Sequence, residues 1–183
     1  PEDEAHLDAL CVAINNIYIL GETYAREFSI EPTRIMASLA SQEDADVADD
    51  VDTVVTETFL QTHSAIRKVW YSILSSLVDA QISQMENILV DISEETKTEV
   101  WDTITSLVGD FLEVVCEALY EKAFHKLLRQ LCCGSFSMLE RALCGKLKFA
   151  HAPISGDGLS SLIKGLVDNL IEMYSAGFTS EQL

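Results

Sequence analysis

The chain has 183 residues, of which 48% are hydrophobic, and its net charge is −18. This length allows one domain with a substantial core, and the hydrophobic content is too high for a disordered protein. The strong negative charge argues against nucleic-acid binding, because a phosphate backbone repels such a surface.

Apolar residues recur every three or four positions, and runs of alternating β-branched residues bounded by tight turns are nearly absent. This pattern predicts an all-α protein. The five cysteines have no CxxC spacing, which favours a reducing, cytoplasmic compartment, and we interpret Cys11 and Cys116 as small core residues. No apolar run approaches the roughly eighteen residues of a membrane span.

The first predicted helix covers residues 4–28, with Cys11 and Ile14 on its buried side. Pro32 is suited to the first turn of a short second helix that ends at Leu39. Residues 41–52 are rich in Asp and have no hydrophobic period before Val51, so they predict an exposed acidic loop.

A long helix is predicted from residue 52 to 92, because apolar residues follow the helical rhythm from Phe59 onward. The rhythm loosens near Gln81 and Gln84, which indicates a bend or a partly exposed turn. Ser93 is a favourable N-cap for the next helix, so the two helices are predicted to pack antiparallel.

The next predicted helix covers Thr98–Lys148, and the sequence leaves open whether it breaks at Gly109 or Gly134. Its predicted core stripe is Val100, Ile104, Leu107, Val108, Phe111, Val115 and Leu119. Asp157 can cap a last helix that ends near residue 176. Two helices of roughly forty to fifty residues predict an elongated antiparallel bundle, a single rod-like domain over residues 1–183.

The two ends of the sequence predict that the natural protein continues on both sides. The chain opens without an initiator methionine, and Thr179 with Gln182 has the spacing of a capping box that starts a new helix.

Motifs of catalysis and metal binding are weak. Residues 134–138 do not complete a GxSxG elbow, no HExxH is present, and the four histidines are far apart. The acidic loop lacks the glycine and the closing glutamate of an EF-hand. We therefore predict a protein without catalytic, cofactor or metal sites, and an enzyme or metal carrier is the rival hypothesis.

Positive charge is concentrated in one part of the chain, which the sequence identifies as the candidate partner-binding site. Its residues are Lys122, Lys126, Arg129, Arg141, Lys146 and Lys148. The first three share one face at helical spacing. Two interpretations remain open: this surface contacts an acidic helix or an anionic membrane surface, or it is simply solvated and paired with the chain's own acidic helices.

Four segments, in this order, are similar to those of one known family: Cys11–Ile17 with its Asn-Asn pair, residues 60–92, Leu112–Leu143 and Gly158–Leu183. Together they resemble the C-terminal part of the MUN domain of the uncoordinated-thirteen-type vesicle-priming proteins, over nearly the whole chain. Residues 41–52 and 145–158 depart from that pattern and leave the family member open. The dense-core-vesicle activator family carries a similar domain.

The resemblance implies a non-enzymatic, tethering-complex-like rod that binds SNARE proteins of the syntaxin and synaptobrevin types with a Sec1/Munc18-type chaperone. It also implies promotion of SNARE assembly in exocytosis, in the cytoplasm at the plasma or presynaptic membrane. Two alternatives lack direct SNARE contact. One is a helical scaffold subunit, and the other is a module that binds anionic membranes through its basic residues.

Overall fold

The computed structural model describes residues 2–40, 45–93, 96–149 and 156–178. Within these ranges the α-helices are α1 (Glu2–Ala40), α2 (Ala45–Val90), α3 (Lys97–Ala118), α4 (Glu121–Leu143) and α5 (Gly156–Phe178). Those ranges contain no strand, which confirms the predicted all-α class. The chain divides into two compact units, Pro1–Ile73 and Leu74–Leu183. Helix α2 contributes to both units.

The first two helices are longer than predicted. Helix α1 continues through Pro32 for 39 residues, so the predicted separate helix from Pro32 to Leu39 is wrong. A proline inside a helix removes one backbone donor and crowds the preceding turn, at a cost of about 3 kcal/mol, so α1 continues there against the local propensity. Helix α2 begins at Ala45, so residues 45–52 of the predicted acidic loop are helical, and residues 41–44 lie outside the described residues. An Asp-rich sequence favours a helix start, because carboxylates stabilise the positive end of the helix dipole.

Aromatic side chains pack α1 against α2 in the first unit. Phe59 stacks on Tyr24 with ring centroids 5.5 Å apart and on Phe28 at 5.1 Å. Nearer the start of α1, Tyr18 lies 5.9 Å from Trp70. The predicted inner residues Cys11 and Ile14 are buried, at 1% and 0% exposure. Stacked and tilted ring pairs of this kind add to the stabilisation from apolar burial.

The predicted long helix over Thr98–Lys148 is two helices. Leu119 (φ −94°, ψ 146°) and Tyr120 (φ −59°, ψ 145°) are extended and separate α3 from α4. The break lies at neither Gly109 nor Gly134, both of which are helical. Leu119 is buried at 6% exposure where the chain leaves the helical path. No glycine or proline lies at the break, so local propensity does not mark it.

Ser93 makes the hydrogen bonds of a helix cap one turn before α3 begins. Its Oγ accepts a bond from the Thr96 backbone N–H at 3.3 Å, and its own N–H donates to Thr96 Oγ1 at 3.0 Å. These reciprocal bonds have the pattern of a capping box, with threonine in the place of glutamate. The regular helix starts at Lys97, with Thr96 at the N-cap position and no side-chain cap bond, so the prediction of Ser93 as the N-cap of this helix is wrong.

The second unit is built from the last part of α2 with α3, α4 and α5. Gln81, predicted to mark a bend or an exposed turn, is buried at 6% exposure within a continuous α2. Its Nε2 donates to the Leu107 carbonyl oxygen at 3.2 Å, which satisfies a polar group inside the apolar contact. The fully buried side chains of this unit include Leu74, Met85, Leu89, Ile104, Leu127, Leu128, Leu131 and Met138.

Tyr174 of α5 places a hydroxyl in this core. Its Oη lies 2.7 Å from Ser135 Oγ of α4, and the Tyr174 residue is only 2% exposed. Burial raises the pKa of the Tyr174 phenol to about 12, while the hydrogen bond between Tyr174 and Ser135 lowers this pKa and the nearby Cys132 raises it, both to a smaller extent. The neutral phenol is thus the form that the folded protein stabilises.

We expect the protein to lose stability at high pH through this phenol. Because the folded pKa is about 12 against an ordinary 10, the contribution is complete below pH 10 and is lost as pH rises toward 12. We expect urea unfolding experiments to show that the free energy of unfolding falls by on the order of 2 kcal/mol between pH 9 and pH 12. Tyr174→Phe has no phenol to ionise and should show a flatter pH profile, and an equal slope in both proteins would contradict the assignment.

Candidate partner-binding surface

Helix α4 buries one face and presents the other to solvent. Its buried residues are Ala123, Phe124, Leu127, Leu128, Leu131, Ser135, Met138, Leu139 and Ala142. On the opposite face Lys122 and Arg129 are exposed, and Lys126 is half-buried beside them. The three predicted residues therefore project from one side of a single helix, as their spacing of four and three requires. We call Lys122, Lys126 and Arg129 the basic triplet.

Arg141 does not extend the basic triplet. Its Nη2 lies 2.7 Å from Glu86 Oε2 on α2, with the two side chains 45% and 28% exposed. This ion pair fits the interpretation in which a predicted basic residue neutralises the chain's own acid. A partly exposed pair of this kind contributes at most about 1 kcal/mol, so it orients Arg141 more than it stabilises the fold. Glu86 and Arg141 are 55 residues apart in the sequence, so helical spacing could not predict that they form a pair.

Lys146 and Lys148 follow the end of α4 in an irregular segment. Gly145 has a φ of 65°, its N–H donates to the Ala142 carbonyl, and the Lys146 N–H donates to the Arg141 carbonyl. These two bonds form a Schellman motif, for which glycine is preferred at the left-handed position. Both lysines are exposed. The six predicted residues thus occupy three settings: the helix face, an ion pair and the segment beyond the cap.

The outward face of α3 has the opposite charge. The exposed charged side chains of residues 99–118 are all acidic: Glu99, Asp102, Asp110, Glu113 and Glu117. In the same unit, α4 presents the basic triplet. Faces of opposite sign favour one orientation of a charged partner, since the basic side attracts an acidic ligand and the acidic side repels it.

The cysteine and histidine side chains do not form a reactive cluster in the described ranges. Burial raises the pKa of the Cys11 and Cys132 thiols, with smaller contributions from Asp8 and Cys133 respectively. Both shifts favour the thiol over the nucleophilic thiolate. Cys116 is exposed rather than a core residue, because it lies on the outer face of α3. His63 stacks on Phe59 at 5.7 Å, and His151 lies outside the described residues.

Among the described residues, no group of three or more His, Cys, Asp or Glu side chains is arranged to hold a metal ion. The prediction of a protein without cofactor or metal stays a prediction. None of the described helices combines the length and the apolar composition needed to cross a membrane.

Comparison with known proteins gives no match: no family model fits the chain, and neither the curated proteins nor the solved structures include a significant match.

Proposed function

We propose that this chain is a non-enzymatic helical module of vesicle priming that binds SNARE proteins and promotes their assembly in exocytosis. The basic triplet is the main observation that supports this proposal, because it forms a positive helix face on a chain with a net charge of −18. The order of helical segments that resembles the C-terminal part of a MUN domain directs the proposal to SNARE proteins. The proposed location is the cytoplasmic side of the plasma or presynaptic membrane.

The proposed partner segment is a long amphipathic helix, or a disordered segment that becomes helical on docking. Acidic residues on that segment would lie against Lys122, Lys126 and Arg129, while the acidic face of α3 would disfavour the reverse orientation. Syntaxin- and synaptobrevin-type SNAREs, together with a Sec1/Munc18-type chaperone, are the proposed partners. Elongation of the molecule as an antiparallel, tether-like rod belongs to the same proposal.

The test is an NMR titration of the isotope-labelled cytoplasmic segment of a synaptobrevin-type SNARE with this chain. We expect residue-specific broadening in the SNARE, and a roughly fivefold or greater weakening in the Lys122→Glu/Arg129→Glu double variant, since two attractive contacts become repulsive. The matched control is Lys68→Glu/Lys164→Glu, which changes the net charge equally at two exposed lysines on other helices. Circular dichroism checks that each variant is folded.

Three outcomes contradict the proposal. If the NMR spectrum of the SNARE does not change during the titration, the chain is a structural scaffold without SNARE contact. Equal weakening in both double variants shows that net charge, and not the basic triplet, controls binding. Co-sedimentation with vesicles that contain phosphatidylserine, lost with neutral vesicles and at high salt, would favour the anionic-membrane alternative if SNARE binding is absent.

A further inference from the structure

The outward face of α1 between Ala5 and Thr23 is largely uncharged, with the exposed Asp8 at one edge. The uncharged exposed residues along this face are Ala5, Ala9, Val12, Asn16, Ile19, Leu20 and Thr23. Val12, Ile19 and Leu20 are 58%, 43% and 55% exposed. The outer face of a surface helix is normally charged or polar, and an apolar face indicates a contact with another molecule. We call these seven residues the α1 stripe.

The opposite side of α1 is already occupied. Cys11 and Ile14 are buried, and a Cβ at Gly21 would lie 3.4 Å from Ile66 Cγ2 on α2. From Ala9 to Gly21 the sequence contains no Asp, Glu, Lys or Arg on any side of the helix. A helix segment that is apolar all round is typical of one covered on both sides. The packing with α2 accounts for one side only.

The charges beside the α1 stripe determine what can cover it. Asp8 and Glu22 lie along one flank and are exposed, and Arg26 near the end of the stripe is already 3.3 Å from Glu27. Residues 1–73 carry fourteen acidic and four basic side chains. A second copy packed antiparallel on the same face would bring these carboxylates together, because both acidic flanks then lie on the same side of the contact, which costs free energy. A partner with a positive flank gains from the same carboxylates.

We propose that the α1 stripe docks a basic amphipathic helix, with leucine-like residues on one face and lysine or arginine on the flank that lies beside Asp8 and Glu22. The stripe covers about five turns, so the complementary helix has about 18 residues and a length near 27 Å. Apolar side chains at a spacing of three and four lie against Val12, Ile19 and Leu20, and the flanking cations lie near Asp8 and Glu22. This site is separate from the basic triplet and takes a partner of the opposite charge.

Fluorescence anisotropy with the full 183-residue chain and a designed 18-residue peptide tests this proposal. The peptide carries leucine on one helical face and lysine along one flank of that face. One control peptide has the same composition with the leucines distributed around the helix, and another has glutamate in place of lysine. We expect saturable binding of the first peptide, and at least about tenfold weaker binding of both controls.

Variants of the chain locate the site. Val12→Glu and Ile19→Glu should each weaken binding at least about tenfold, because each places a carboxylate in the apolar contact. Ile171→Glu is the matched control, since Ile171 is 49% exposed on α5, and it should change the affinity less than about twofold. The Lys122→Glu/Arg129→Glu variant should also leave this affinity unchanged, which separates the present test from that of SNARE binding.

Several results would overturn the proposal. If the peptide with distributed leucines binds with the same affinity, charge attraction alone explains the binding. If the Ile19→Glu and Ile171→Glu variants have the same affinity for the peptide, the peptide binds elsewhere on the chain. Absence of saturable binding would reject the basic helix as occupant. A dimer in sedimentation equilibrium that Ile19→Glu abolishes would identify a second copy as the occupant instead.

Discussion

The Gly165→Ala variant is expected to lose about 2–3 kcal/mol of unfolding free energy. A Cβ at position 165 would lie 1.9 and 2.0 Å from two carbons at the far edge of the Trp101 indole. The indole is rigid, so either its side chain must leave its position or α5 must move away from α3. Inserting one methyl group into such a contact forces side-chain or backbone shifts, which is the source of the expected loss.

A double-mutant cycle separates the steric clash from the effect of alanine on the helix. In a Trp101→Leu background the indole is absent, so Gly165→Ala should stabilise the protein by about 0.5–1 kcal/mol through helix propensity alone. Urea unfolding followed by circular dichroism measures the change in unfolding free energy caused by Gly165→Ala in each background. The reversal of sign is the decisive result, because an equal loss in both backgrounds would show that the indole is not responsible.

Gly109→Ala is the matched control, at another helical glycine of the same unit. A Cβ there would lie 3.7 Å from Met173 Cε, which is an ordinary contact. The expected effect is a small gain, up to about 1 kcal/mol, from the better helix propensity of alanine. A large loss at Gly109 would mean that glycine is required for reasons other than the space beside Trp101.

Periodicity predicts the buried face of α3 and α4 well, because burial repeats with the turn of the helix. Of the predicted core stripe, Val100, Ile104, Val108, Phe111, Val115 and Leu119 are buried, and Leu107 is half-buried. The same rule places Lys122 and Arg129 on the outside of α4. Exposure of a side chain is thus predictable from the sequence, while the partner that it meets is not.

Helix boundaries and long-range partners depend on packing, which a local pattern does not contain. The extended pair Leu119 and Tyr120 interrupts a continuous apolar stripe, and neither residue is a helix breaker by propensity. Conversely, proline normally breaks a helix, and yet Pro32 lies within α1. The ion pair of Arg141 with Glu86 likewise depends on where α2 and α4 meet. For that reason the sequence could not separate Arg141 from the basic triplet.

Leu131→Ala is expected to cost about 3–4 kcal/mol of unfolding free energy. Leu131 lies on the inner face of α4 with 0% of its surface exposed. Its truncation removes apolar burial and leaves a cavity that the surrounding helices fill only in part. Leu143→Ala on the same helix is the matched control, because Leu143 is 54% exposed and alanine suits a helix. That variant should change stability by less than about 0.5 kcal/mol.

The difference between the two leucine variants also tests the candidate binding surface. Urea unfolding measures the free energy of each variant against the wild-type chain. The same rotation of α4 that buries Leu131 directs Lys122, Lys126 and Arg129 outward. Comparable losses at Leu131 and Leu143 would contradict the assigned faces of α4, and the basic triplet could then not act as one exposed surface.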